Sequence, residues 1–201
     1  MQNSKMSTSP RVGIIGAGAF GTALAIAMAR AGREVVLWAR NPDLAETIEK
    51  DRENRPYLPG PKLAPEISVT GELERAVACD ILLLVVPAQT LRALCQRLAP
   101  LIAPSTPVVS CAKGVEQGSN CLMTEVLAAA LPANPAAVLS GPTFAIEVAR
   151  GLPSAVTLAT EDEALGKALV ANLGSRSFRP YLSLDPVGAQ VGGAVKNVLA
   201  I

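Results

Sequence analysis

The chain has 201 residues, a formal net charge of +1, 50% apolar residues and 3% aromatic residues. This near-neutral, aromatic-poor composition lacks the basic surface and stacking rings that nucleic-acid binding requires, so we expect no nucleic-acid partner. The sequence contains no histidine, which excludes serine–histidine and cysteine–histidine nucleophile pairs and imidazole-ligated metal sites. Proton transfer within these residues must use Lys, Asp, Glu, Tyr or Cys, and we expect no metal site.

The sequence shows no targeting or membrane segment. Residues 1–10 are polar and lack the apolar stretch of a signal peptide, so we expect a disordered arm there. The longest apolar runs, such as residues 81–86, are too short to span a bilayer, and no membrane insertion is expected. The cysteines form no Cys-x-x-Cys pair, which favours free thiols in a reducing cytoplasm. They are Cys79, Cys95, Cys111 and Cys121.

The first two elements surround a glycine-rich turn. An apolar strand over residues 11–16 runs into Gly-x-Gly-x-x-Gly, formed by Gly16, Gly18 and Gly21, and then into a small-residue helix over residues 21–31. In this pattern the first glycine permits a tight turn, the second allows close approach of the backbone to phosphates, and the third lets helix and strand pack closely. The helix N-terminus attracts an anion. We therefore predict a dinucleotide site; the alternative is a glycine-rich turn without a ligand.

The second strand, residues 34–39, ends at Arg40. Folds that select NAD usually carry Asp or Glu about 20 residues beyond the glycines, where the carboxylate binds the ribose 2′-OH. A guanidinium at this position suits a 2′-phosphate instead. NADP(H), or use of both nucleotides, is therefore favoured over strict NAD use; the alternative is a solvated surface arginine.

Strands and helices continue to alternate along the chain. Asn41-Pro42 is typical of a helix start, and the proline-rich residues 53–66 are typical of a surface loop. Further strands are predicted over residues 67–70, 80–86, 106–111, 136–140, 153–159 and 176–181, and further helices over residues 88–99, 121–131, 144–150 and 162–173. This order predicts an α/β protein with a Rossmann-like, doubly wound, mostly parallel sheet. Ligands then bind at the carboxyl ends of the strands.

Three strand ends carry candidate site residues. Val85, Val86 and Pro87 are expected to line a cofactor channel, or simply to end a strand. Lys113 follows the next strand beside a glycine and suits an anionic substrate or a contact on the nicotinamide side; a solvated loop lysine is the alternative. In the turn over residues 140–145, Thr143 is expected to cap the following helix, whose first N–H groups would bind an anion. The alternative there is an ordinary capped turn.

The last segment differs from the rest. Asp185-Pro186 predicts a helix start, and Val187, Val191, Val195 and Val198 form an apolar stripe at helical spacing. Another face carries Ala189, Gly192, Gly193, Lys196 and Ala200. Because two consecutive glycines cost a helix roughly 1–2 kcal/mol relative to alanine, something is expected to pack closely on that face.

Lys196 is the candidate acid–base residue, since a lysine in a tight interface loses part of its preference for the charged form. The alternative is a helix lysine near a frayed end. The chain stops in mid-pattern at Ile201, so we expect the dinucleotide-binding domain to span residues 11–183. Residues 184–201 would then be the first helix of an all-α C-terminal domain that this chain lacks.

Four segments together resemble the bacterial NAD(P)-dependent glycerol-3-phosphate dehydrogenases. They are GAGAFGTALA at residues 16–25, SGPTFA at 140–145, GLPSA at 151–155 and GGAVKNV at 192–198. The resemblance covers nearly all of residues 11–201. It implies hydride transfer between NAD or NADP and the pair dihydroxyacetone phosphate and sn-glycerol 3-phosphate, in the cytoplasm, for phospholipid synthesis. A homodimer is expected for the intact protein, and little or no turnover for this chain.

The same resemblance implies roles for individual residues. Lys196 would be the general acid–base residue and contact substrate, Lys113 would contact substrate and cofactor, and Gly141 and Thr143 would contact glycerol 3-phosphate. Cofactor contacts would come from Ala19, Phe20, Arg40 and Ala145, with Ala19 in place of a common Ser and Phe20 in place of a common Trp or Tyr.

Two other functions are compatible with a dinucleotide-binding fold. One is a different lysine-dependent dehydrogenase of the 6-phosphogluconate or 3-hydroxyacid type, against which the SGPTFA turn argues. The other is a non-catalytic NAD(P)-binding module, against which the helix carrying Lys196 argues.

Overall fold

The computed structural model describes residues 9–199, and the side chains of residues 196–199 lie outside that description. Residues 1–8 of the expected arm also lie outside it. Ser9, by contrast, is held in place, because its hydroxyl donates a 2.7 Å hydrogen bond to the carbonyl oxygen of Gly32.

Eight strands form one sheet in the described part of the chain. They are β1 (Arg11–Ile15), β2 (Glu34–Trp38), β3 (Ile67–Thr70), β4 (Ile81–Leu84), β5 (Val108–Ser110), β6 (Ala136–Ser140), β7 (Ser154–Ala159) and β8 (Phe178–Ser183). Their order across the sheet is β3-β2-β1-β4-β5-β6-β7-β8. The first six strands run parallel, β7 pairs antiparallel with β6, and β8 runs parallel to β7. The predicted mostly parallel sheet is therefore confirmed.

Eight α-helices connect or flank these strands within residues 9–199. They are α1 (Ala19–Arg30), α2 (Pro42–Asp51), α3 (Leu73–Val77), α4 (Leu91–Leu98), α5 (Met123–Ala130), α6 (Ala145–Arg150), α7 (Glu163–Leu173) and α8 (Pro186–Leu199). A 3₁₀ turn over Ala88–Thr90 precedes α4, where the sequence predicted a single helix. The five-residue α3 was not predicted, because a single turn leaves too short an apolar pattern to recognise.

The core lies on both faces of the sheet. Consecutive side chains of a parallel strand point to opposite faces, so Ile14 packs in one buried cluster while its neighbour Ile15 packs in the other. Burial on both faces explains why these strands are continuously apolar rather than alternating. It confirms the doubly wound arrangement.

Helix α1 is buried along nearly its whole length. Nine consecutive residues, from Gly21 to Ala29, are buried, and most of them are small. The helix packs against α6, where the guanidinium of Arg30 donates hydrogen bonds of 3.3 and 2.7 Å to the carbonyl oxygens of Val148 and Ala149. Helix α1 is therefore held in place by its buried length and, at its C-terminal end, by α6.

The thiols are free, as predicted. Cys95 and Cys111 are buried, and burial raises the pKa of each thiol to about 12. Cys79 is half-buried, and burial raises its pKa to about 11. No helix among the described residues combines the length and apolar character needed to cross a bilayer.

Candidate functional site

The glycine-rich turn joins β1 to α1 at the carboxyl edge of the sheet. Gly16 has a φ of +121°, and a Cβ there would overlap the carbonyl oxygen of Val85. A Cβ at Gly21 would overlap the carbonyl oxygen of Gly16. The tight turn and the close helix–strand packing predicted for these two glycines are therefore present.

Gly18 differs from both, because a Cβ added there would meet no described atom within 4 Å. The backbone at Gly18 borders open space at the start of α1, where the first N–H groups of a helix have no intrahelical partner. A phosphate group fits this position, since it needs close backbone approach and N–H donors.

A cleft of about 450 Å³ opens beside this turn. Gly16, Ala17 and Gly18 form one side, and Val85, Val86 and Pro87 form another, as predicted for a cofactor channel. Arg40 lies at the end of β2 in the same cleft. Apolar walls, an open glycine backbone and a guanidinium together suit an adenine dinucleotide.

The segments before and after Arg40 are both held in place by hydrogen bonds. β2 is held by the N–H of Gly16, which donates to the carbonyl oxygen of Trp38 at 3.1 Å. Beyond Arg40, the side chain of Asn41 accepts a 2.9 Å hydrogen bond from the N–H of Asp43, with Pro42 in the first turn of α2. The predicted Asn-Pro helix start is confirmed, and it turns the chain at the cleft.

Sequence reasoning missed two residues that line this cleft. Tyr57 reaches it from the loop between α2 and β3, and Arg97 reaches it from the last turn of α4. Tyr57 lies in a proline-rich stretch whose composition predicts a surface loop, and Arg97 lies on the polar face of an amphipathic helix. No local pattern distinguishes either residue from a solvated side chain.

Glu53 anchors the loop that carries Tyr57. Its carboxylate accepts a 2.6 Å hydrogen bond from Nζ of Lys62 and a 3.0 Å hydrogen bond from the N–H of Gly60. These two donors lower the pKa of Glu53 to about 2, with the Lys62 hydrogen bond as the larger cause. The ends of the loop are therefore tied together by an ionised carboxylate.

The carboxylate of Glu53 is expected to stabilise the folded state only above a certain pH. The carboxyl of Glu53 has an ordinary pKa of 4.5 and a lowered one in the fold, so its contribution is complete above about 4.5 and fades as the pH falls toward 2. We expect wild type to unfold at a higher temperature than Glu53→Gln at neutral pH, with the difference shrinking as the pH falls and vanishing below about pH 2. Thermal unfolding followed by circular dichroism measures this; a difference that is independent of pH would contradict it.

A second cavity, of about 290 Å³, lies where α8 packs on β6 and β7. Ser140, Gly141 and Pro142 line it from the end of β6, and Thr157 lines it from β7. Gly188, Ala189, Gly192 and Gly193 line it from α8. The cavity lies at the same edge of the sheet as the dinucleotide cleft, farther along the strand order, at the end of β6.

Lys113 and Gly141, both predicted substrate contacts, meet beside this cavity. Nζ of Lys113 donates a 3.0 Å hydrogen bond to the carbonyl oxygen of Gly141. The loop that carries Lys113 is held by Arg92, which binds both carboxylate oxygens of Glu116 at 2.8–3.1 Å. This ion pair lowers the pKa of Glu116.

The two consecutive glycines of α8 differ in how closely the described residues approach them. A Cβ at Gly193 would lie 2.6 Å from Oγ of Ser140 and 3.9 Å from Cγ of Lys113. A Cβ at Gly192 would meet no described atom within 4 Å. The expected close packing is therefore confirmed at Gly193 and absent, among the described residues, at Gly192.

Two interactions fix α8 against the rest of the chain. Asp185 caps it, as predicted, by accepting a 2.7 Å hydrogen bond from the N–H of Gly188. The buried amide of Gln190 accepts a 3.0 Å hydrogen bond from the N–H of Thr124 and donates to the carbonyl oxygen of Pro186. Lys196 belongs to α8, one turn beyond Gly193, and its side chain lies outside the described residues.

The prediction that Thr143 caps the next helix is wrong. α6 begins at Ala145, its N-cap is Phe144, and no side chain caps it. Oγ of Thr143 is instead buried without a hydrogen-bond partner among the described residues. The anion site expected at the start of α6, a helix of six residues, stays a prediction.

Three predicted cofactor contacts do not line the cleft. Ala19 and Phe20 lie in the first turn of α1, and Ala145 lies in the first turn of α6. All three are partly buried against the core. Their roles as cofactor contacts stay predictions.

Comparisons with known proteins agree with this geometry. The family model described as NAD-dependent glycerol-3-phosphate dehydrogenase N-terminus matches residues 11–166. A glycerol-3-phosphate dehydrogenase (NAD(P)+) of Parvibaculum lavamentivorans is 56% identical over 191 residues, which are 95% of this chain and 57% of that protein. The protein of the same name from a Bradyrhizobium species is 57% identical over 196 residues, 98% of this chain and 60% of that protein.

A solved structure shows the same fold. The crystal structure of glycerol-3-phosphate dehydrogenase from Coxiella burnetii matches with a TM-score of 0.90 and 36% identity, covering 96% of this chain and 59% of that one. The chain spans about 60% of the length of the curated relatives named above. Taken with the glycine turn and its cleft, these matches show that the chain belongs to the NAD-dependent glycerol-3-phosphate dehydrogenase family.

Proposed function

We propose that this chain is the cofactor-binding part of an NAD(P)-dependent sn-glycerol-3-phosphate dehydrogenase. The intact protein would interconvert dihydroxyacetone phosphate and sn-glycerol 3-phosphate in the cytoplasm, for phospholipid synthesis. The observation that carries the proposal is the meeting of Lys113, Gly141 and Gly193 beside a cavity at the strand ends. This cavity lies at the same sheet edge as the dinucleotide cleft.

The chain's own residues would divide the chemistry between them. When bound, the nicotinamide cofactor supplies or accepts the hydride. Lys196 would give a proton to the oxygen of the substrate as its carbonyl becomes an alcohol, and take it back in the reverse direction. Lys113, held at the carbonyl of Gly141, would offset the negative charge that develops on that oxygen. Thr143, in the turn after β6, would also contact the substrate; its hydroxyl is buried and has no hydrogen-bond partner among the described residues.

Support for Lys196 comes from the backbone of α8. Helical spacing puts Lys196 three residues after Gly193, on the side of the helix that approaches Ser140 and Lys113. The cap at Asp185 and the hydrogen bonds of Gln190 hold α8 in one orientation about its axis. The side that carries Gly193 therefore stays turned toward Ser140. A lysine on this side would lie at the substrate cavity.

Helices beyond α8 would complete the substrate site of the intact protein. Val187, Val191 and Val195 are 52%, 45% and 38% exposed and form an apolar strip along α8. Exposed strips of this kind mark surfaces that another element covers. We propose that an all-α domain begins at residue 184 and covers it, that the intact protein is a homodimer, and that this chain alone has little or no turnover.

Arg40 would give the cleft its preference for NADPH. Arg40→Asp removes the guanidinium from the end of β2 and supplies a carboxylate that accepts from a ribose 2′-OH. We expect the Kd for NADPH to rise at least tenfold, about 1.4 kcal/mol, and the Kd for NADH to stay level or fall. Parallel titrations of both nucleotides measure the ratio; equal losses for both would contradict the role of Arg40.

Assays of the intact protein and of this chain test the proposed function. The intact protein is expected to oxidise NADPH in the presence of dihydroxyacetone phosphate, and this chain is expected to bind NADPH with little or no turnover. Faster turnover with 6-phosphogluconate or 3-hydroxyacid substrates, or none with dihydroxyacetone phosphate, would overturn the substrate assignment. Full activity of this chain would overturn the role of the further domain.

A further inference from the structure

Asn54 is fully buried although the sequence places it in a surface loop. It lies between α2 and β3, two residues after Arg52, whose left-handed conformation (φ 52°) ends α2. The proline-rich composition predicts solvent exposure for residues 53–66, but Asn54 is 0% exposed. A buried amide needs hydrogen-bond partners, and those partners indicate its role.

The side chain of Asn54 connects the glycine turn to the helix that follows it. Its Nδ2 donates a 2.9 Å hydrogen bond to the carbonyl oxygen of Ala17 and a 2.8 Å hydrogen bond to Oγ1 of Thr22. The carbonyl of Ala17 can only accept, so the amide nitrogen, not the amide oxygen, must face it. The orientation of the amide is thus determined by the backbone of the glycine turn.

The bond to Ala17 also fixes the peptide that joins Ala17 to Gly18. In a trans peptide the C=O and the following N–H point in opposite directions. Because the carbonyl of Ala17 points inward to Asn54, the N–H of Gly18 must point away from it. Gly18 lines the dinucleotide cleft, and a Cβ on it would meet no described atom within 4 Å.

We propose that Asn54 is a positioning residue for the cofactor: its amide holds the Ala17–Gly18 peptide so that the N–H of Gly18 faces the pyrophosphate. This inference rests on the proposed cofactor binding. It deepens that proposal by assigning a role to a residue outside the glycine motif. The hydroxyl of Thr22, bonded to the same amide, ties this orientation to the first turns of α1.

The amide makes contacts that an apolar anchor could not make. Oδ1 of Asn54 is buried without a hydrogen-bond partner among the described residues, and an unpartnered buried oxygen lowers stability. Nδ2 offsets this cost, because it donates to the carbonyl oxygen of Ala17 and to Oγ1 of Thr22, which an apolar side chain would leave without this donor. Leu58, buried at 4% exposure four residues later, anchors the same loop through apolar packing.

The test compares Asn54→Ala with Leu58→Ala, which removes apolar packing from the same loop but no hydrogen bond to the glycine turn. Binding of NADPH and of adenosine 2′-phosphate, which lacks the pyrophosphate, is followed in ¹H–¹⁵N spectra that also register weak binding. We expect Asn54→Ala to raise the Kd for NADPH about tenfold and to change the Kd for adenosine 2′-phosphate less than about twofold. Leu58→Ala should leave the ratio of the two Kd values unchanged.

Equal losses for both ligands in Asn54→Ala, or no loss for NADPH, would overturn the positioning role. If Asn54→Ala does not fold, the amide resonance of Gly18 in the wild-type chain decides. It should shift strongly with NADPH and little with adenosine 2′-phosphate, and the same shift with both would refute the proposal. A wild-type chain that binds neither NADPH nor NADH would instead overturn the proposed function itself.

Discussion

Gly21→Ala is expected to lower the free energy of unfolding by about 3 kcal/mol or more. The added methyl group would overlap the carbonyl oxygen of Gly16, and relief would require α1 to move away from the end of β1. α1 has little freedom to move, because nine consecutive residues are buried and Arg30 ties its end to α6. Denaturant unfolding followed by circular dichroism measures the loss.

Gly18→Ala is the matched control, since it adds the same methyl group three residues earlier in the same motif. A Cβ at Gly18 meets no described atom within 4 Å, and its extended backbone (φ −76°, ψ −177°) accepts any residue. We expect a change in unfolding free energy within about 0.5 kcal/mol and a Kd for NADPH at least about tenfold higher. Gly21→Ala as stable as wild type, or Gly18→Ala with unchanged affinity, would contradict the roles assigned to these glycines.

Lys196→Ala in the intact protein is expected to lower kcat by about a thousandfold, within the range that general acid–base residues contribute. The Kd for NADPH should change less than twofold, because the cleft that would hold the dinucleotide lies at the ends of β1, β2 and β4, with α2, α4 and the Tyr57 loop, and not at α8. Lys196→Arg should be as inactive as the alanine variant, since a guanidinium does not release its proton near neutral pH.

Lys167→Ala is the control for removing a lysine. Lys167 is an exposed residue of α7 that pairs with Glu163 at 2.8 Å on the helix surface. Steady-state kinetics of dihydroxyacetone phosphate reduction should show normal kcat for this variant. If Lys196→Ala also retained normal kcat, Lys196 would not be the acid–base residue and the proposed mechanism would fail.

Features that depend on local chemistry were predictable from the sequence. The bounds predicted for β6, residues 136–140, agree with the structure, since a short apolar run there is bounded by Pro135 and Gly141. The glycine turn, the Asn41-Pro42 helix start and the Asp185 cap were predictable for the same reason. Each is a backbone requirement met by residues within a few positions of one another.

Features that depend on tertiary structure were not predictable. Thr143 has the residue type of a helix cap, but the chain starts α6 two residues later. The direction of β7 depends on the path of its connection, and the short α6 returns the chain beside β6 instead of crossing the sheet. Asn54 was assigned to the surface by composition, although its partners Ala17 and Thr22 lie more than 30 residues away.

The central claim is that the cleft beside Gly18 holds a nicotinamide dinucleotide. Isothermal titration of this chain with NADPH, and in parallel with NADH, tests it most directly. We expect saturable binding of one NADPH per chain, with NADH binding more weakly because of Arg40. Binding of neither nucleotide, or binding that Gly18→Ala leaves unchanged, would contradict the claim.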